Sequence, residues 1–349
     1  IQASATGQDQ TIRLGPGNFA VSATLAEPSG GACVNVIGSA GTTVNADSSQ
    51  VATTLSVTSP LGGDLFSLGN AQQTQGCTFQ NLNILANGNA VHAFEFQWFR
   101  GLLIDNVTVN DTSSDGMVLG EETTGHQSNF LLRNVTVSYS ATAFTPANRP
   151  NYGIHLEKTA IDSALDEITV RNALTAAVYN EGTGNTGYLI HGFGYPYTCT
   201  TAPCVNNASS ASAANASYAT SYVIYDTGGG GTEWTDTYID SPSIAGFYIG
   251  ANGVSVEGGH IQWPELTSFP AANLAYVAAN VTNNLLIGDV SCLGMASGTN
   301  WITYSGASGN PPSFSSVHHL TGCGNYYQGL EPAVTTGFSS GGANINDPT

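Results

Sequence analysis

The chain has 349 residues, and only 9% of them are charged, with 6 Lys and Arg against 24 Asp and Glu and a formal net charge of −18 at pH 7. Nucleic-acid-binding and polybasic membrane-surface proteins both need clustered basic side chains, so this composition excludes both classes. No uninterrupted apolar run approaches the length of about 18 residues that indicates a transmembrane helix. With 42 glycines and many Asn, Ser and Thr residues, the composition favours strands joined by turns.

The opening of the chain places two strand-like segments around a tight turn. The segment IQASATGQDQTIRLGPGNFAVSATL contains the turn Pro16-Gly17-Asn18-Phe19, and CVNVIG follows at residues 33–38. This arrangement resembles the start of pectate-lyase-like right-handed parallel β-helices. The resemblance implies an all-β fold, a single-stranded right-handed parallel β-helix. That superfamily holds secreted polysaccharide-degrading enzymes and bacteriophage tailspikes, and its members are often trimers. We therefore expect a secreted or virion-surface protein, with a homotrimer as one assembly.

The middle of the chain repeats one strand phrase. Residues 77–84 read CTFQNLNI, residues 102–109 read LLIDNVTV and residues 130–137 read FLLRNVTV. Each phrase is rich in β-branched residues and alternates as a strand does. Recurrence at an interval of about 20–30 residues predicts a solenoid, in which stacked coils bury one continuous core. Asn81, Asn106 and Asn134 recur in the phrase, and we expect Asn106 and Asn134 to bond backbone groups at a turn.

A second strand follows each later phrase, and its alternation predicts which side chains face outward. The segments DGMVLG, YGIHLE, AAVYNE and AGFYIG align on an inward set, Met117, Ile154, Val178 and Phe247. Their neighbours form an outward ladder, and the residues two positions further on face outward as well. The outward residues are Val118, His155, Tyr179 and Tyr248, with Gly120, Glu157 and Glu181 two positions further. The sequence therefore predicts an exposed patch of His155, Glu157, Tyr179 and Glu181.

This patch has the groups that glycosidic cleavage requires. One carboxyl group protonates the leaving oxygen, while a second attacks the sugar or activates water. Carboxyl groups on neighbouring coils lie close, which raises the pKa of one of them and makes it an acid. Glu157 and Glu181 are the catalytic candidates, with His155, Tyr179 and Tyr248 as substrate-binding residues. The alternative is that both glutamates are surface carboxylates that keep an acidic protein soluble.

Two other groups lie elsewhere in the chain. Residues 228–242 and 256–265 alternate carboxylates with aromatic residues, as a sugar-binding groove does. Its catalytic candidates are Glu233, Asp236 and Glu257, and its binding candidates are Trp234, His260 and Trp263. The alternative is that the two tryptophans pack in the core. The other group could bind Ca²⁺ through oxygen ligands, although a solvated turn fits it better. Its members are Asp111, Asp115, Glu121, Glu122 and His126. We predict no other cofactor.

Six cysteines and two irregular segments complete the organisation. Neighbouring coils approach to within disulfide distance, which favours Cys33–Cys77 and Cys292–Cys323, although other pairings stay open. Cys199 and Cys204 could close a small loop inside an insertion at about residues 195–220. The solenoid is expected over residues 1–330, and residues 331–349 are expected to form an extended tail. An even number of cysteines and few charges favour an oxidising compartment.

These features favour an extracellular enzyme that cleaves a neutral or weakly charged polysaccharide, because a chain of net charge −18 repels a polyanion. Polysaccharide lyase activity is one alternative, to which Lys158 beside Glu157 would contribute. Intramolecular glycosyl transfer is another alternative on the same fold. A noncatalytic glycan-binding module or tailspike-type adhesin is the alternative from another class.

Overall fold

The computed structural model describes residues 10–26, 33–40, 52–69, 73–123, 126–140, 143–145, 147–194, 220–240, 242–262, 273–283, 285–288, 290–293, 302–305, 315–318 and 343–346. These residues form twenty-eight strands and no helix, so the expected all-β class is confirmed. Accordingly, they include no helix that is long and apolar enough to cross a membrane.

The strands are mostly two to five residues long, and five central ones have eight to twelve residues and a residue with a positive φ angle at their bend. They are β1 (Gln10–Arg13), β2 (Gly17–Val21), β3 (Leu25–Ala26), β4 (Val34–Ile37), β5 (Thr53–Val57), β6 (Phe66–Leu68), β7 (Thr74–Gln75), β8 (Thr78–Leu85), β9 (Phe94–Phe96), β10 (Phe99–Asn110), β11 (Met117–Leu119), β12 (Asn129–Ser138), β13 (Tyr152–Leu156), β14 (Ala164–Arg171), β15 (Ala176–Asn180), β16 (Thr186–Phe193), β17 (Tyr222–Asp226), β18 (Thr232–Thr235), β19 (Tyr238–Asp240), β20 (Ala245–Ile249), β21 (Val254–Glu257), β22 (His260–Gln262), β23 (Asn273–Val277), β24 (Leu285–Gly288), β25 (Ser291–Leu293), β26 (Ile302–Tyr304), β27 (Ser315–His318) and β28 (Ala343–Asn346).

The strands stack into two parallel sheets, one coil upon the next. The 10-stranded sheet runs in chain order through β3, β6, β9, β11, β13, β15, β17, β20, β23 and β26. The 18-stranded sheet holds the remaining strands. Its long strands bend, and β16 pairs with β18 in its first half and with β19 in its second half. The predicted solenoid is therefore a parallel β-helix.

The repeated Asn of the strand phrase lies at the bend of the long strands. Asn81, Asn106 and Asn134 have φ angles of 57°, 54° and 49°, in a left-handed region that Asn tolerates better than most residues. Asn106 Nδ2 donates to Asn81 Oδ1 at 2.8 Å, and Asn134 Nδ2 donates to Asn106 Oδ1 at 3.1 Å. We call these three residues the Asn ladder. Asn106 and Asn134 donate to other Asn side chains and not to backbone groups as expected, because the bends of successive coils lie directly above each other. Asn81 Nδ2 donates to the backbone oxygen of Gly38 at 3.5 Å.

The core lies between the sheets and is apolar along its length. The four predicted inward residues, Met117, Ile154, Val178 and Phe247, are all buried, which confirms the phase of the alternation. In the N-terminal coils the phenyl rings of Phe66, Phe79, Phe94 and Phe96 pack against one another.

One of the three predicted disulfides lies within the described residues. Cys33 is bonded to Cys77, with their Cα atoms 5.3 Å apart, which confirms this pairing between neighbouring coils. Cys199, Cys204 and Cys323 lie outside the described residues, so the other two pairings stay predictions.

The predicted insertion falls between two strands that continue the solenoid. Residues 195–219 lie outside the described residues, yet β15 and β17 on either side of them pair directly, with Val178 opposite Ile224. Of the predicted tail, the structure describes Ala343–Asn346, which pair parallel with β27.

Candidate functional site

The outward face of the 10-stranded sheet carries a ladder of half-buried polar and aromatic side chains, which the buried Val118 interrupts. Pairing between successive strands aligns Glu95, Val118, His155, Tyr179, Tyr225, Tyr248 and Tyr276. The predicted outward register is confirmed, because a parallel pairing in this register keeps equivalent side chains on one face. Tyr225 and Tyr276 were missed, although the phrase YVIYD at residues 222–226 has the same alternation as YGIHLE.

His155 lies between two carboxylates from different coils. Its Nε2 is 3.1 Å from Glu181 Oε2, and its Nδ1 is 3.7 Å from Asp115 Oδ2. The backbone N–H of Tyr152 donates to Asp115 Oδ1 at 3.0 Å and so fixes that carboxylate. Burial lowers the pKa of His155, but the contacts with Asp115 and Glu181 outweigh burial and raise the pKa above its ordinary value. The imidazolium form donates from both ring nitrogens and so suits this position.

Glu157 lies two residues after His155 and is opposite Glu181 on the neighbouring coil. The pairing of Leu156 with Asn180 and the hydrogen bond from Glu181 N to Leu156 O continue the register to these two glutamates. Burial raises the pKa of Glu157 to about 7, and the nearby carboxylates of Glu122, Glu95 and Glu181 add to the effect while His155 opposes it. Glu157 is therefore an acid whose proton is available near neutral pH.

The coil before Glu157 presents a glycine at the equivalent outward position. Gly120 has a φ angle of 106°, and a Cβ atom there would lie 3.0 Å from the backbone nitrogen of Ala160. A side chain would therefore be strained and would crowd the Glu157 loop.

The third predicted group divides between this site and the surrounding turns. Asp115 and Glu122 join the site, since Glu122, His155 and Glu181 have ligand atoms within 4.8 Å of one another. Glu122 is also paired with Lys158, and its contacts with Glu181 and Lys158 lower its pKa. A cation could therefore bind at these three side chains.

The other members of that group have structural partners. Asp111 accepts hydrogen bonds from the backbone N–H of Ser140 at 2.6 Å and from its hydroxyl at 2.9 Å. Glu121 pairs with His126 at 3.2 Å. The five residues thus do not form one Ca²⁺ site. Asp111 and Glu121 contact Ser140 and His126, whereas Asp115 and Glu122 lie beside His155.

The tyrosines that follow His155 stack along the solenoid. The rings of Tyr225 and Tyr248 are 4.0 Å apart at an angle of 4°, and those of Tyr248 and Tyr276 are 5.6 Å apart at 10°. Because neighbouring rings cover each other's faces, the row presents ring edges and hydroxyl groups to solvent. We call Tyr225, Tyr248 and Tyr276 the tyrosine row. It can donate hydrogen bonds to sugar hydroxyls, whereas stacking on a sugar face is limited.

Trp234 was predicted to bind sugar, and the structure overturns this. Its side chain is fully buried, and its indole N–H donates to Asp226 Oδ2 at 2.8 Å. Asp226 also accepts from Asn180 Nδ2 at 3.1 Å and from the backbone N–H groups of Gly228 and Gly229. Alternation along β18 turns Trp234 inward, where it supports the strands that carry the site instead of contacting ligand.

The other members of the second predicted group lie on the 18-stranded sheet and not beside His155. Glu233 is exposed on β18, Glu257 ends β21, and Asp236 occupies a bend position with a φ angle of 49°. Tyr238 lies between His260 and His191, with ring centroids 4.0 and 4.3 Å away. Trp263 lies outside the described residues. The structure therefore brings together the His155 patch but leaves this group on a different face.

Two solved structures are similar to this chain. Both are A-modules of mannuronan C-5 epimerases from Azotobacter vinelandii. The AlgE6 A-module has a TM-score of 0.57 and 12% identity, covering 90% of this chain and 86% of that chain. The AlgE4 A-module has a TM-score of 0.47 and 13% identity, covering 90% and 87%. No protein-family model and no curated protein matches the sequence. The similarity to the AlgE6 A-module shows a shared fold, in agreement with the parallel sheets and the expected parallel β-helix.

Proposed function

We propose that the chain cleaves a glycosidic bond of a neutral or weakly charged polysaccharide by hydrolysis, with Glu157 and Glu181 as its carboxyl pair. The observation that carries this proposal is that the two glutamates are opposed on neighbouring coils in different environments. Burial raises the pKa of Glu157 to about 7, while Glu181 is bonded to the ring of His155. Acid catalysis at neutral pH requires two carboxyl groups in different environments, so that one keeps its proton while the other is ionised.

The two glutamates have distinct roles in the proposed reaction. Glu157 donates its proton to the glycosidic oxygen as the bond from the anomeric carbon to that oxygen breaks. In one route Glu181 attacks the anomeric carbon and forms a glycosyl ester, which water then hydrolyses while the Glu157 carboxylate takes a proton from that water. In the other route Glu181 takes a proton from a water that attacks directly, and in both routes one water is added overall. His155 holds Glu181 in place at 3.1 Å and is a positioning residue. Paired residues on neighbouring strands lie about 4.8 Å apart, which lets both carboxyl groups reach one bond.

The charge around the site supports a substrate of low charge. Four carboxyl groups lie around His155, those of Asp115, Glu122, Glu157 and Glu181. The nearby Lys158 is already paired with Glu122. A polyuronate would meet repulsion in such a surface. The hydroxyl groups of the tyrosine row suit the hydroxyl groups of a neutral glycan.

A lyase or epimerase reaction is the second candidate, because the AlgE6 A-module, a mannuronan C-5 epimerase by name, has the same fold. Tyr152 and Tyr179 also lie beside His155, with ring centroids 5.4 and 4.7 Å away. Such a reaction begins with removal of a carbon-bound proton by a base. The raised pKa values of His155, Tyr152 and Tyr179 make all three poor bases near neutral pH. We therefore favour hydrolysis.

The test is mass spectrometry of products from a panel of neutral and acidic polysaccharides, with oligosaccharide length and mass as readouts. Hydrolysis adds one water for each bond cleaved. Unsaturated ends without added water would indicate a lyase, and altered sugars in an uncut polymer would indicate an epimerase. Anhydro ends would indicate intramolecular transfer. Intact polymers that still bind the protein would favour a glycan-binding module.

A further inference from the structure

A second cluster of charged side chains lies on the same sheet face, two coils before His155. It consists of Asp64, His92 and Glu95, whose ligand atoms lie within 4.8 Å of one another. Pairing of Phe66 with Phe94 places Asp64 opposite His92, and Glu95 follows on β9. None of these residues was singled out by the sequence, because Asp64 is 28 residues from His92.

The geometry around His92 points to a cation between the three side chains. His92 Nδ1 is 2.8 Å from Asp64 Oδ1 and 3.6 Å from Glu95 Oε2. This nitrogen is shielded from solvent, and within the described residues it makes no hydrogen bond of acceptable geometry. A ring nitrogen that is shielded from solvent and faces two carboxylate oxygens is placed to share a cation with them.

The ligand side chains are held in place by further contacts. The backbone N–H of His92 donates to Asp64 Oδ1 at 3.2 Å, and Gln97 Nε2 donates to Glu95 Oε1 at 3.1 Å. Beneath them, the rings of Phe66 and Phe94 stack at 5.1 Å and make the two coils rigid. Such supporting hydrogen bonds orient the ligands of metal sites.

We propose that Asp64, His92 and Glu95 bind a divalent first-row transition-metal ion. One imidazole and two carboxylates suit Zn²⁺ or Mn²⁺, with water completing the coordination. Ca²⁺ is a poorer fit, because it takes six to eight oxygen ligands. None of the three residues belongs to the proposed carboxyl pair, although the charge of Glu95 contributes to the raised pKa of Glu157.

The competing occupant is a proton on His92. Burial lowers the pKa of His92, but its contacts with Asp64 and Glu95 outweigh burial and raise that pKa to about 9. In that case the cluster is an ion-pair network of the folded chain that binds no metal.

The experiment titrates ZnCl₂, MnCl₂ and CaCl₂ into the chelator-treated full chain near neutral pH by isothermal calorimetry. Every variant also carries His155→Gln, which removes one ligand of the Glu122–His155–Glu181 cluster so that metal binding there does not contribute. In that background we expect one saturable Zn²⁺ site, weakened more than tenfold by His92→Gln or Glu95→Gln. The matched control is His126→Gln, which removes the imidazole of a His–carboxylate pair that has no third ligand among the described residues. This variant should leave the affinity unchanged.

Two results would overturn the proposal. One is the absence of saturable Zn²⁺ or Mn²⁺ binding in the His155→Gln background. The other is metal binding with the wrong dependence. Either Zn²⁺ binding survives His92→Gln and Glu95→Gln, or Ca²⁺ binds as tightly as Zn²⁺. A variant that fails to fold is bypassed by soaking crystals of the unaltered chain in ZnCl₂. An anomalous-scattering peak between the three side chains supports the site, and its absence there at full soaking contradicts it.

Discussion

Two ladders of side chains run along this solenoid, and they use the same geometry differently. At the bend of the 18-stranded sheet, the Asn ladder repeats one residue type, and each member bonds the next at 2.8 and 3.1 Å. On the 10-stranded sheet, the residue type changes from coil to coil, so Val118, His155 and Tyr179 follow one another, and Gly120 precedes the two glutamates Glu157 and Glu181. A uniform ladder lets every coil satisfy its neighbour in the same way. A mixed ladder places unlike groups about 4.8 Å apart, which is what acid–base chemistry requires.

The comparison predicts that the mixed ladder matters for turnover and the uniform ladder for stability. The largest expected effect is on turnover. Glu157→Gln and Glu181→Gln should each lower kcat by about 10²–10⁴-fold, because each removes a proton-transfer or nucleophilic group. The readout is reducing-sugar release on a substrate found in the product screen. Glu233→Gln, on the other sheet, is the matched control, and an equal loss there would contradict this site assignment.

The pH dependence of the reaction follows from Glu157. Its pKa is raised to about 7, and the donor must be protonated, so kcat/KM should fall as pH rises through about 7. The folded chain then holds this proton more tightly than the unfolded chain. The free energy of unfolding should therefore decrease as pH rises from the ordinary glutamate pKa to about 7. Comparing chemical unfolding of the unaltered chain and Glu157→Gln over this range isolates the effect, and identical pH slopes would refute it.

The Asn ladder offers the converse test. Asn106→Ala should lower the free energy of unfolding by about 1–3 kcal/mol, because it places Ala in the left-handed region and removes two side-chain hydrogen bonds. Turnover should be unchanged. Asn106→Gly separates the causes, since Gly keeps the backbone conformation and loses only the hydrogen bonds. If Asn106→Ala lowered kcat at unchanged stability, the division between the ladders would be wrong.

The smallest expected effect belongs to the tyrosine row. Tyr248→Phe removes one hydroxyl while keeping the stacked ring, so KM should rise by about 2- to 10-fold, as one hydrogen bond is worth about 0.5–1.5 kcal/mol. The value of kcat should not change. Steady-state kinetics on a long oligosaccharide, with a short one as control, measures this, and a loss confined to kcat would argue against a binding role.

Several residues of the site could be read from the sequence, and others could not. Alternation within strands that share a sequence phrase predicts four residues of the site: His155, Tyr179, Glu157 and Glu181. Asp115 belongs with His155 too, but the two residues are 40 positions apart along the chain. Because coils differ in length, spacing along the chain does not give the register between distant turns.

Trp234 illustrates a second limit. Its neighbours Glu233 and Asp236 made a sugar-binding surface plausible, yet the side chain lies inside and bonds Asp226. Because side chains alternate along a strand, Glu233 and Trp234 must point to opposite sides of the sheet. The sequence of a four-residue strand between Gly-rich and polar turns does not indicate which of the two sides is inward. Packing against the neighbouring coils decides this phase.

The sequence by itself predicted the β-helix and the inward and outward sets of the 10-stranded sheet, and it favoured the Cys33–Cys77 pairing among several that stayed open. These depend on two-residue alternation and on a repeated phrase, which are local properties of the chain. Only the tertiary structure decided that Asp115 and Glu122 join His155, that Trp234 is buried, and that Asp64, His92 and Glu95 meet. Those contacts depend on how coils of unequal length stack, and the hydrogen bonds between coils set that register, not the spacing of residues along any one of them.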